Sequence, residues 1–98
     1  MIVRIVKLTF RSENIASFEQ IFKDTKDRIR NFEGCSNLEL YQSTDEPGVF
    51  FTYSYWNSDK DLQAYRQSDF FKKVWAETKR LFKEKPQAWS LNKIEKLN

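Results

Sequence analysis

A few side chains in this sequence could do chemistry on a small molecule. Tyr65 offers a phenol, which can donate or accept a proton beside a bound ring. Arg4 stands in the apolar run IVRIVKLTF (2–10), where a charge needs a partner, water or an anion. Trp56, Phe70, Phe71 and Trp75 could supply flat apolar walls, and Ser54 is small enough to leave space beside them. Cys35 could act as a nucleophile only beside a cation or a base; a buried strand-end thiol is the plainer reading. Each aromatic also has a plain reading. Trp56 reads as core or pocket wall, Tyr65 as a packed helix tyrosine, and Phe70, Phe71 and Trp75 as a helix core stripe.

The rest of the composition narrows the chemistry. Histidine is absent, so a Ser-His-Asp triad and a Cys/His zinc site are excluded within the chain, and no metal site is expected. One cysteine excludes an internal disulfide and fits a reducing, cytoplasmic setting. No long apolar run or signal segment appears, so no membrane partner is expected. The formal net charge is only +3. The longest cationic stretch, KRLFKEK (79–85), is interrupted by Glu84 and reads as a solvated helix face rather than a phosphate-binding patch. A length of 98 residues suggests one domain, 1–98, with room for two packed layers.

The elements that must position these groups follow from periodicity. Residues 2–10 are β-branched and short, hence a strand. Ser12 or Asn14 can cap the helix that follows, in which Ile15, Phe18, Ile21, Phe22, Thr25, Ile29 and Phe32 make one apolar stripe. Gly34 stops that helix. CSNLELYQS (35–43) and VFFTYSYW (49–56) form a hairpin around the turn STDEPG (43–48). Ser58-Asp59-Lys60-Asp61 resembles a capping box and opens a short helix through Leu62 and Tyr65. Ser68 caps another, with Phe71, Val74, Trp75, Thr78, Leu81 and Phe82 inward and Pro86 at its end. AWSLNKI (88–94) is a last strand. The order β-α-β-β-α-β predicts an α+β, ferredoxin-like fold: a four-stranded antiparallel sheet with helices on one face.

That architecture leaves one sheet face uncovered. Phe51, Tyr53 and Tyr55 would point one way along the third strand, and Phe50, Thr52, Ser54 and Trp56 the other. Both faces carry large rings, and two helices can cover only one. A second copy packed sheet to sheet is the simplest remedy, so a homodimer through the sheet face is expected.

The opening strand IVRIVKLTF, the turn NFEGCSNLEL and above all YWNSDKDLQAYRQSDFFKKVW resemble the antibiotic biosynthesis monooxygenase family over nearly the whole chain. The resemblance implies a dimeric α+β barrel with a pocket between helices and sheet in each subunit. Some members oxidise hydroquinone-like aromatic substrates with dioxygen and need no metal or flavin. It therefore implies a monooxygenase without cofactors, acting on a small aromatic ligand. Members often carry a His nine residues after the third-strand Trp and another five later; here those positions are Tyr65 and Phe70. A Glu two residues before the Trp is frequent; here it is Ser54. In haem-degrading relatives an Asn, a Trp and an axial His fall on Val6, Tyr65 and Trp75, none of them kept, which argues against haem degradation.

The same alignment puts the even residues of the first strand on the helix side. Arg4 would then be an anion or phenolate clamp, or would pair with Glu39 or a helix carboxylate; the ion pair is the plainer reading. Tyr65 and Arg4 are the candidate catalytic residues, with Ser54, Trp56, Phe70, Phe71 and Trp75 as candidate substrate contacts. Two other functions stay open. A non-catalytic dimeric binding protein fits the missing His and Glu. RNA-binding domains share the element order, and GVFFTYSY superficially resembles their third-strand motif, but the first strand lacks the aromatic partner and a dimer would bury the face RNA needs, so no nucleic-acid partner is expected.

Overall fold

A computed structural model describes residues Met1–Asn98. The elements run β1 (Ile2–Thr9), a 3-10 turn (Ser12–Asn14), α1 (Ile15–Arg30), β2 (Cys35–Gln42), β3 (Val49–Trp56), α2 (Asp59–Arg66), α3 (Asp69–Lys79) and β4 (Gln87–Leu91). The sheet order is β2-β3-β1-β4, every pairing is antiparallel, and the helices pack on one face. This is the expected ferredoxin-like α+β arrangement.

The turns hold where their chemistry places them. Ser58 Oγ accepts from the Asp61 backbone N–H at 3.2 Å and donates to Asp61 Oδ2 at 3.1 Å, which opens α2. Ser68 Oγ accepts from the Phe71 N–H at 3.1 Å and donates to the Tyr65 carbonyl at 2.6 Å. One serine thus ties the end of α2 to the start of α3. Gly34 sits at φ +88°, and a Cβ there would lie 2.4 Å from Asp61 Cβ. Both the left-handed backbone and the close approach of α2 require glycine.

Several boundaries differ from the expectation. Neither Ser12 nor Asn14 caps α1; the Asn14 amide instead donates to the Leu81 carbonyl at 3.3 Å, because a 3-10 turn precedes the helix. α3 ends at Lys79, well before Pro86, and Leu81 and Phe82 lie beyond it. Phe82 still reaches the core as a bridge to Phe10. β4 begins at Gln87 and stops at Leu91, and Ile94 beyond it is 91% exposed.

Between sheet and helices lie two separate core clusters. Leu8, Phe10, Phe18 and Phe50 fill one end. Ile29, Trp56, Leu62 and Tyr65 fill the other. On the opposite face Tyr41 and Tyr53 stack, and the Tyr53 and Tyr55 hydroxyls lie 3.1 Å apart. Val3, Thr9 and Val49 are buried on that face, while Tyr41, Trp89 and Leu91 are exposed.

Candidate functional site

The strand register explains why the core divides in two. One row across the helix-facing side reads Gln42, Phe50, Leu8, and another reads Cys35, Trp56, Ile2. Between them run two rows of mostly smaller residues: Leu40, Thr52, Val6, Ala88, and Leu38, Ser54, Arg4, Ser90. Large rings at either end hold the helices off the sheet, and Thr52, Ser54 and Ala88 cannot fill the gap. The result is a cavity of about 340 Å³, lined by 21 residues of which 14 are hydrophobic. That volume falls at the lower end of small-molecule sites, roughly 300–1,000 Å³.

A belt of rings walls it. Trp56 stacks on Tyr65 at 4.8 Å between centroids. Tyr65 meets Phe71 edge-on at 5.0 Å, and Phe71 stacks on Trp75 at 5.8 Å. Outside the cavity lining, Phe82 meets Trp75 edge-on at 5.5 Å. The indole N–H of Trp56 donates to Ser54 Oγ at 3.0 Å, so the buried tryptophan has its polar atom satisfied within the sheet.

Tyr65 is buried, and that burial pushes its phenol well above the usual tyrosine range. At neutral pH it is a hydrogen-bond donor rather than a base. Arg4 stands where the sequence placed it, on the helix-facing side and in the cavity lining. Its Nη1 donates to Ser90 Oγ at 3.0 Å. Glu39 cannot pair with it: Glu39 lies opposite Tyr53 on the other face, where it accepts from Asn37 and Tyr41. Burial and then the repulsion of Arg66 lower the Arg4 pKa, against a weaker opposing effect of Asp59.

Ser54, Trp56, Tyr65, Phe71 and Trp75 therefore converge on one cavity with Arg4. Phe70 does not. It lies outside the lining, with the Arg28 guanidinium 4.1 Å over its ring. One residue along α3 is about 100° of rotation, enough to turn Phe70 away from the face that Phe71 presents. Cys35 is partly buried and burial raises its thiol pKa, as befits a structural thiol. Arg66, Leu38, Ile29, Thr78 and Ala88 line the cavity unforeseen; the alternation of β4 from Ala88 and the position of Arg66 beside Tyr65 were the available signals.

The α+β sheet-and-helix fold thus encloses a ring-walled cavity with Arg4 and Arg66 in its lining. The antibiotic biosynthesis monooxygenase family model matches residues 1–77, and the chain belongs to that family. A crystal structure described as an antibiotic biosynthesis monooxygenase is similar at TM-score 0.90 and 14% identity, covering 97% of this chain and 100% of that one. A conserved protein from Methanosarcina mazei Go1 is similar at TM-score 0.88 and 20% identity, covering 95% and 93%. Rv0793 from Mycobacterium tuberculosis is similar at TM-score 0.89 and 18% identity, covering 99% and 98%. No curated protein matches the sequence. No helix is long and apolar enough to cross a membrane.

Proposed function

We propose that the chain is a cofactor-independent monooxygenase that oxidises a small aromatic or quinol-type substrate with dioxygen, as a homodimer joined through the outer sheet face. The observation that carries this reading is the ring-walled cavity of about 340 Å³ with Arg4 in its lining, in a chain of this family.

The reaction balances without an external reductant. A phenolic ring loses its O–H proton, and a hydrogen-bearing ring carbon forms a bond to oxygen. The O–O bond breaks, one atom stays on the ring as a carbonyl, and the other leaves as water. The substrate supplies all four electrons and becomes a quinone. The protein's part is to hold the ring, favour its anion and keep bulk water away. Trp56, Tyr65, Phe71 and Trp75 provide stacking surface, and the apolar lining excludes water. The fixed charge of Arg4 favours the ring oxyanion in a poorly solvated site. Tyr65, held protonated by burial, donates a hydrogen bond to a developing negative charge.

The test is oxygen uptake and quinone formation with a panel of hydroquinones and naphthols. Turnover that drops by about 10-fold or more in Tyr65→Phe and in Arg4→Met is expected, the size typical of a lost proton-handling or charge-stabilising group. Absence of turnover across the panel, with ligands still bound, would favour a dimeric binding protein instead.

A further inference from the structure

Arg66 is a second cation in the lining, and the proposed oxygen chemistry gives it no part. It closes the last turn of α2, next to Tyr65, and its side chain is exposed. Its Nη1 donates to Gln63 Oε1 at 3.3 Å, a neutral acceptor on the same helix. Arg4, half-buried in the lining, likewise donates to a neutral oxygen, that of Ser90. Two arginines thus line a largely apolar cavity, and at Arg4 the repulsion of Arg66 outweighs the attraction of Asp59. Like charges so placed are a standing electrostatic cost, which an anion between them would relieve. A planar guanidinium matches a carboxylate with two parallel N–H donors, and such charge-assisted bonds are short and strong.

We infer that the cavity selects an aromatic ligand bearing a carboxylate, with the ring against Trp56, Tyr65 and Phe71 and the carboxylate between Arg4 and Arg66. The inference rests on the cavity being the ligand site, as in the proposed function, but not on the oxygen chemistry. Two guanidinium groups and one carboxylate leave one positive charge over, so Arg4 can still favour a ring oxyanion. Arg66 becomes the specificity residue, and neutral quinols become poor ligands. Part of this discrimination is electrostatic and falls as salt rises, since Arg66 is exposed.

The experiment is calorimetric titration of the purified protein with naphthoate and with naphthyl methanol, a neutral compound of the same ring. Naphthoate should bind at least about 10-fold more tightly, the scale of a charge-assisted hydrogen bond. Arg66→Gln should reduce that preference several-fold while leaving the affinity for the alcohol unchanged. Because Arg66 is exposed, the variant should keep its melting temperature; raising salt on the unaltered protein gives the same comparison without a substitution. Equal binding of the two compounds, or a preference indifferent to both Arg66→Gln and salt, overturns the inference and leaves the oxygenase reading standing. Failure of both compounds and of hydroquinones to bind removes the cavity as a ligand site, and both readings with it.

Discussion

The indole nitrogen of Trp56 and the hydroxyl of Ser54 are joined by a 3.0 Å hydrogen bond between two residues on the same side of β3. Trp56 is 1% exposed, so no water can replace the partner if it is lost. The position that frequently carries Glu in the family here carries a residue whose one polar atom holds the cavity's tryptophan. Ser54→Ala should destabilise the fold by about 1–3 kcal/mol, the cost of a buried donor left unpaired. Chemical denaturation of Ser54→Ala, Trp56→Phe and the double variant measures it. If the two losses simply add, the bond contributes nothing.

Gly34 should tolerate no side chain. Its positive φ of 88° and the 2.4 Å approach of Asp61 act together. Gly34→Ala should cost about 2 kcal/mol or more, beyond the usual cost of a left-handed alanine. Asp61→Gly in the same chain should return part of that loss by opening the space. A Gly34→Ala protein with an unchanged denaturation midpoint would contradict the close packing of α2 on this turn.

Tyr65 gives the protein a weakness in alkali. Its pKa is raised in the fold, so below the unfolded value of about 10 the phenol is neutral in both states and its contribution is whole. Above that pH the unfolded chain releases the proton first, and stability falls as pH rises toward the folded pKa. Tyr65→Phe should show a shallower fall over this range than the unaltered protein. Tyrosinate absorbance should show one of the four tyrosines titrating only on unfolding. Identical alkaline profiles for the two proteins would mean that the phenol is solvated.

The outer face should be the subunit contact. Phe51, Tyr53, Tyr55 and Ile5 are half-buried there, and Trp89 is 43% exposed on the edge strand. Sedimentation should give a particle of about twice the 11.8 kDa chain mass at micromolar concentration. Tyr53→Glu, which places a charge at the centre of the patch, should yield monomer. A monomeric unaltered protein would remove the dimer from the proposal.

Filling the cavity should abolish binding while sparing the fold. Ala88 is exposed on β4, opposite Val6 and in the lining. Ala88→Phe should therefore weaken any aromatic ligand by about 10-fold or more with a stability change within about 1 kcal/mol. Unchanged affinity would place the ligand elsewhere.

Much of this was legible along the chain because it is local. The alternation through Phe50, Thr52, Ser54 and Trp56 announces a helix-facing side with small residues at its centre. Ser58 and Ser68 announce helix starts, and both make the cap hydrogen bonds their types allow. Ser12 and Asn14 offered the same signal and do not cap, since a 3-10 turn and the Leu81 carbonyl compete for that segment. Such competition is tertiary and leaves no trace in spacing.

The sequence by itself determined the order of strands and helices, the two-sided character of β3 and the family, because propensity, turn chemistry and periodicity act over a few residues. Only the tertiary structure decided that Glu39 and Arg4 lie on opposite faces, that Phe70 turns toward Arg28, and that Arg66 shares a cavity with Arg4. Those facts depend on strand register and helix rotation, which are set when distant segments pack and not by the neighbours of any one residue.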